Sequence, residues 1–344
     1  MDSYDEALEI SREQGHKLKI LQTHLWLGEV DRSDHQIQTA IQIYEKGLET
    51  AKEEGHKLQE TQTYLWLGEA CRCDNQNQTA IHHYQESLKI ARKQGYKLQE
   101  TQAYLGLGEV YRLDNQNQAA IQYYQQSLKI AKEQRYKLQE THAYLELGEA
   151  YRSKNHNQTA IHYYQESLKI VREKGYKLPE TQAYLGLGEA YRSDNHNQVA
   201  IQYYEKGLQI SREQRYKLQE TQAYLGLGEA CRSNNDIQMA IRYYELGLGT
   251  AKEKGCKLQE TQAYLCLGEA YKSANHNKMA IDYYEKGLQI SREQGYKLLE
   301  THAYIWFSEA YKSDNQNRMA IQCYEKGLQI SIEQEYKLQK TQAY

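Results

Sequence analysis

The feature that most constrains this chain is a period. Laid out in blocks of forty from Leu21, its 344 residues give eight complete copies without one insertion: 21–60, 61–100, 101–140, 141–180, 181–220, 221–260, 261–300 and 301–340. Residues 1–20 are the second half of a preceding copy, and 341–344 open a following one. A unit this short cannot bury a core of its own. The copies must therefore cover one another's apolar faces, and the chain folds as one array rather than as separate globular domains.

The copy at 101–140 shows what each position does. From Leu98 to Arg112 the helical period of about 100° per residue puts Ala103, Tyr104, Leu107, Gly108, Val110 and Tyr111 on one side. Gln102, Leu105, Gly106, Glu109, Arg112 and Leu113 fall on the other. From Gln118 to Gln134 a second stripe, Ala120, Tyr124, Ser127, Leu128 and Ala131, has a shoulder of Tyr123 and Ile130. A helix apolar on two shoulders touches two neighbours, so the second helix is expected to pack on its own partner and on the first helix of the next copy. Asn115 stands where seven of eight copies carry Asn, the residue besides Gly that best tolerates a left-handed turn, and Asn117 is expected to cap the second helix. Gly15, Gly55, Gly95, Gly175, Gly255 and Gly295 sit at the other turn; Arg135, Arg215 and Glu335 replace it and predict looser helix ends. Pro179 falls in a first turn, where its missing N–H costs little.

The set Tyr104, Leu107-Gly108, Tyr111, Ala120 and Tyr124 resembles the signature of tetratricopeptide repeats and recurs along the chain. The resemblance implies an all-α fold, a right-handed α-solenoid of helix-turn-helix copies. That family's usual Pro at the end of the second helix is Lys132 here, which lets the helix run on and accounts for forty residues in place of about 34. Copies ending in patterns like Ile210-Ser211-Arg212-Glu213-Gln214 resemble the long-repeat animal subgroup that includes the spindle-orientation adaptors and tetratricopeptide repeat protein 28. Members of that subgroup bind extended peptides along the inner, concave groove, and the resemblance implies the same here. The spindle adaptors tend to carry Asn beside the Leu-Gly pair, whereas this chain has Trp26, Trp66, Gly106, Glu146, Gly186, Gly226, Cys266 and Trp306, so their particular partners do not carry over.

Those eight variable residues lie on the side of the first helix turned away from its own core, beside a constant row. The row is Glu29, Glu69, Glu109, Glu149, Glu189, Glu229, Glu269 and Glu309, followed three residues on by Arg32, Arg72, Arg112, Arg152, Arg192, Arg232, Lys272 and Lys312. It reads in two ways: as i,i+3 surface pairs worth about 0.2–0.5 kcal/mol each, or as a ladder of acceptors and donors facing an extended ligand. On the second reading Trp26 and Trp66 are anchors, and Gly106, Gly186 and Gly226 leave clearance for a ligand backbone.

Composition narrows the function. The net charge of -3 gives no footprint for nucleic acid or an anionic membrane, no apolar run approaches the roughly 20 residues of a membrane helix, and Met1-Asp2-Ser3-Tyr4-Asp5-Glu6 is acidic where a signal peptide is basic. The expected compartment is the cytoplasm. Cys71, Cys231, Cys256 and Cys323 replace Tyr of other copies, which reads as drift, and Cys71-Arg72-Cys73 lacks zinc spacing. No metal, cofactor or catalytic set is expected. The expected function is a scaffold or adaptor binding extended segments of other proteins; the alternative is a structural or ligand-sensing arm of a larger protein whose effector or enzymatic domain lies outside these residues. Because Met1 takes the place of Ile41, inside a second helix, and Thr341-Gln342-Ala343-Tyr344 begin a first helix, the array is expected to be longer, with end-to-end self-association through uncapped ends as a further expectation.

Overall fold

The structure, a computed structural model, describes residues 37–342, and side chains through Glu333, as 15 α-helices with no strand among the described residues. The chain divides into two compact units, 1–170 and 171–344. The first holds α1 (Ile37–Glu53), α2 (Lys57–Cys73), α3 (Asn77–Gln94), α4 (Lys97–Leu113), α5 (Asn117–Glu133), α6 (Lys137–Ser153) and most of α7 (Asn157–Lys174). The second holds α8 (Lys177–Ser193), α9 (Asn197–Glu213), α10 (Lys217–Ser233), α11 (Ile237–Lys254), α12 (Lys257–Ser273), α13 (Asn277–Glu293), α14 (Lys297–Ser313) and α15 (Asn317–Gln342). Even numbers are the first helices of copies and odd numbers the second. This is the tandem helical-repeat architecture, an α-solenoid, that the period implies.

The two kinds of turn are set by single residues. Asn75, Asn115 and Asn155 in the first unit, and Asn195, Asn235, Asn275 and Asn315 in the second, adopt φ between 58° and 62°. The Gln116 N–H then returns to the Tyr111 carbonyl at 2.8 Å and ties off the first helix. At the other turn Gly55, Gly95, Gly175, Gly255 and Gly295 have φ of 70° to 75°. The looser ends expected at Arg135 and Arg215 are not found. Both take the left-handed conformation, at 59° and 58°, and Tyr136 N–H reaches Ala131 O at 2.9 Å just as Tyr96 N–H reaches Ala91 O at 2.9 Å. The strain falls on the arginine backbone instead of fraying the helix. Glu335 ends nothing: it lies within the 26 residues of α15. A second correction concerns Asn117, which is the first helical residue; Gln116 holds the cap place without a side-chain bond, and the buried Asn117 Oδ1 has no partner. Asp236 does cap, accepting from the Met239 N–H at 3.2 Å.

The core repeats with the sequence. Ala103, Leu107, Val110, Ala120, Tyr124 and Ala131 are all sealed from solvent. Within each unit second helices pack on their own first helix and on the next, as α5 does on α4 and α6 and as α11 does on α10 and α12. First helices also meet in succession, α2 with α4 and α10 with α12. Burying each large side chain is worth about 1.5–3 kcal/mol, so the stabilisation of a copy lies in its two flanking interfaces. Pro179 sits in the first turn of α8, as the sequence requires.

The start of each first helix carries a device that sequence reasoning missed. Glu60, Glu100, Glu140, Glu180, Glu220, Glu260 and Glu300 are buried. Glu100 is held by Lys97 at 2.7 Å and Arg92 at 3.4 Å, so that a buried carboxylate in a helix's first turn is paired from its own helix and from the helix before it.

Candidate functional site

The candidate site is the Glu/Arg row on the first helices; Trp26, Glu29 and Arg32 lie outside the described residues. What positions the row is a tyrosine. The second-helix tyrosine is buried in each copy from Tyr44 to Tyr284, and from Tyr84 onward its ring occupies the space that the Gly of its own first helix leaves open. A Cβ on Gly68 would stand 2.7 Å from the Tyr84 ring, and one on Gly188 2.6 Å from Tyr204. The far side of the same ring meets the variable residue of the next first helix. Trp66 stacks on Tyr44 with centroids 5.8 Å apart, and Trp306 lies 6.2 Å from Tyr284. Gly106 and Gly226 are buried, and the room that each leaves is filled by Tyr84 and Tyr204.

This corrects two steps of the sequence reading. Burial does explain the variable place, which faces the preceding copy, and the clearance at Gly106 and Gly226 belongs to tyrosine rings of this chain. Gly186 is half-buried, as are Trp66 and Trp306.

Beyond the rings the polar row begins. In the first unit the Tyr84 hydroxyl donates to Glu69 at 3.1 Å, and Arg72 donates to the same carboxylate at 2.6 Å while reaching Glu109 of the next copy at 3.1 Å. Arg112 turns toward Glu146 at 3.7 Å, and that carboxylate accepts from the Tyr124 hydroxyl at 3.2 Å. Arg152 donates to Glu149 at 2.6 Å, and Tyr164 donates to it at 3.1 Å. In the second unit Tyr204 and Arg192 meet on Glu189 at 2.7 and 2.8 Å. Tyr244 and Arg232 meet on Glu229 at 2.7 and 2.9 Å; Arg232 also reaches Glu269 at 3.3 Å, and Lys272 reaches Glu309. The i,i+3 pairs therefore exist at Glu69, Glu149, Glu189 and Glu229. At Glu109, Glu269 and Glu309 the ion pair crosses to the preceding copy instead.

Electrostatics grade the row. Burial and the neighbouring Glu69 raise Glu109, with Arg72 opposing, and burial raises Glu269. Glu149 and Glu229 are also pushed upward by burial, but Arg152 and Arg232 with the tyrosine hydroxyls outweigh it and leave both below the usual carboxylate range. Glu146 differs, because it adds a carboxylate where other copies hold Gly, Cys or Trp. Burial, then Glu109 and Glu149, push it up to about 7 against the pull of Arg112. The row stays open to a ligand: the side chains of Arg72 and Glu109 are 18% and 31% exposed. Among the described residues no three His, Cys, Asp or Glu side chains converge as a metal ion would require, and no helix is long and apolar enough to cross a membrane.

Comparison with known proteins supplies the family. Tetratricopeptide repeat profiles match residues 59–133, 139–213, 223–258, 261–294 and 301–331. No curated protein sequence matches significantly. The apo form of the quorum sensor NprR from B. thuringiensis is similar in fold, with TM-score 0.70 and 16% identity over 96% of this chain and 97% of that one. The Rap conjugation gene regulator of plasmid pLS20, solved in complex with the Phr* peptide, gives TM-score 0.61 and 15% identity over 85% of this chain and 78% of that one. A STAND signal transduction ATPase with a tetratricopeptide repeat sensor, from Pyrococcus horikoshii, gives 0.66 and 15%, with 99% of this chain spanning 54% of that protein. At these identities the likeness is one of fold alone. Profiles that together span most of the sequence, on helices that repeat every forty residues, place the chain in the tetratricopeptide-repeat family.

Proposed function

We propose that the chain is a protein-interaction scaffold that holds an extended segment of a partner protein along the first-helix row. The observation that carries this reading is the row itself: one Glu and one Arg or Lys per copy, half-exposed and fixed by a buried tyrosine hydroxyl in most copies. Evenly spaced donors and acceptors suit a chain whose own backbone groups recur evenly. The contacts are Glu69, Arg72, Glu109, Arg112, Glu149 and Arg152 in the first unit, and Glu189, Arg192, Glu229, Arg232 and Glu269 in the second. Trp66 and Trp306 offer aromatic surface beside the row. Because each charge already has a partner, a ligand gains by exchange, which favours a segment with both signs of charge over a purely cationic one. A Rap-type protein of similar fold in complex with a peptide supports the reading. The similarity to a sensor segment of a larger ATPase supports a second one, in which the same row serves as the ligand-sensing arm of a longer protein in the cytoplasm.

The test is titration of peptides selected on the wild-type protein against a variant with Glu109→Gln, Glu149→Gln and Glu189→Gln. Binding should weaken about fivefold to fiftyfold, with a smaller salt dependence. Unchanged affinity and unchanged salt dependence would remove the row from the binding surface.

A further inference from the structure

Two residues on one edge of the first unit depart from the repeat, and both add a cation. At the place of Lys93 in α3 every other copy carries Glu, from Glu13 to Glu333. That Glu serves the preceding first helix, as Glu253 does in meeting Lys217 at 3.5 Å. Lys93 sets a positive charge in its stead. One copy on, Arg135 stands where Gly95 and Gly175 stand in the flanking copies, at a φ of 59° that suits Gly far better. The exposed Arg135 side chain offsets none of that strain within the chain, since it makes no hydrogen bond or ion pair among the described residues. Strain that nothing inside the fold rewards points outward, to a contact with another molecule.

The outcome is a basic strip. Residues 89–100 carry Lys89, Arg92, Lys93 and Lys97 against Glu100, and residues 129–140 carry Lys129, Lys132, Arg135 and Lys137 against Glu133 and Glu140. Glu100 and Glu140 are buried beneath their own lysines, at 2.7 Å in both copies. Lys93, Lys129 and Arg135 are exposed and have no carboxylate partner among the described residues. Beside them Leu138, in the first turn of α6, is 38% exposed, and Leu98 is half-buried at the same place in α4.

We propose that this edge, at the turns joining α3 to α4 and α5 to α6, docks an acidic segment of a partner protein. Its carboxylates meet Lys93, Lys129 and Arg135, and its apolar side chains rest on Leu98 and Leu138. Charge complementarity selects the occupant. The spacing selects its pattern: α4 and α6 pack on each other, and packed helices lie about 8–10 Å apart, which matches the rise of about 9 Å per three-residue turn of a polyproline II segment. Apolar side chains three residues apart, flanked by Asp or Glu, therefore fall on Leu98 and Leu138. A membrane or a long nucleic acid fits less well, because the strip stops after two copies. One copy earlier, residues 49–60 carry Glu49, Glu53, Glu54 and Glu60 against Lys52 and Lys57, and a longer polyanion would meet like charge there. This goes beyond the peptide-binding reading and uses none of its residues.

Fluorescence anisotropy tests it, with the 344-residue protein and a labelled nine-residue probe in which two Leu three residues apart are flanked by Glu. The probe should bind saturably and more weakly as salt rises, and the same probe with Lys for Glu should bind about tenfold more weakly or worse. Lys93→Glu with Arg135→Glu should weaken binding about tenfold or more, and Leu138→Ser about threefold. Arg135→Gly should weaken it about threefold while raising the urea midpoint, a split that an arginine merely holding the turn would not give. The variant with Glu109→Gln, Glu149→Gln and Glu189→Gln should bind the probe within about twofold of wild type, which separates this edge from the first-helix row. No saturable binding, equal binding of the Lys probe, equal affinity in the edge variants, or loss of binding in the row variant instead would each overturn the proposal. So would tighter binding to phosphatidylserine vesicles than to the probe, which would make the edge a membrane contact.

Discussion

Two glycines in the second unit should respond to the same substitution with opposite signs. Gly188→Ala places a methyl 2.6 Å from the Tyr204 ring, which is 1% exposed. The ring has little room to retreat, because the Gly226 backbone lies on its other side, so close that even a Cβ there would overlap the ring. Overpacking of this kind costs about 1–3 kcal/mol, and displacing the ring weakens its 2.7 Å hydroxyl bond to Glu189, worth about 1 kcal/mol. The gain in helix propensity returns about 1 kcal/mol, leaving a net loss of about 1–3 kcal/mol. Gly249→Ala, in α11, meets nothing within 4 Å and should keep that gain of about 1 kcal/mol. Urea unfolding followed by far-UV circular dichroism compares the two with wild type at one temperature. If Gly188→Ala were neutral or stabilising, the Tyr204 ring would not be tightly held between Gly188 and Gly226.

Two further outcomes follow from the row and the turns. The Glu146 carboxyl is raised in the folded state to about 7 from 4.5, so folding favours its protonated form; the stability this contributes is present below about 4.5 and is lost as pH rises through 7. Its side chain is 34% exposed, so with solvent screening Glu146→Gln should stabilise by only about 1–2 kcal/mol at pH 8 and hardly at all at pH 4, read as the difference from wild type in urea midpoint across pH. Arg135→Gly and Arg215→Gly relieve left-handed strain and should each stabilise by about 0.5–1 kcal/mol in the same assay, whereas a loss would mean that the arginine side chains hold the turn.

The residues differ in how much they disclosed before the structure. The stripe of Ala103, Leu107 and Val110 and the turn at Asn115 were legible, because helical period and left-handed preference are properties of a single element. Gly106 and Trp66 were misread because a helical wheel knows one buried side. Their burial comes from the preceding copy, whose Tyr84 and Tyr44 reach across. Cross-copy pairing of Arg72 with Glu109 was hidden for the same reason, since the three-residue spacing to Glu69 already offered a partner. Glu100 gave a signal that went unused: a Glu in seven of the eight copies, three residues after a Lys and eight after an Arg or Lys.

The claim that the first-helix row holds an extended segment is tested most directly by asking where a bound peptide lies. A photoreactive phenylalanine analogue can be placed at Gln222, exposed on the row side of α10, and separately at Gln202, exposed on the outer side of α9. Irradiation with a selected peptide, followed by mass spectrometry of the adducts, should give cross-links from Gln222 and none above background from Gln202. Adducts confined to Gln202 would put the ligand on the second-helix surface and contradict the account.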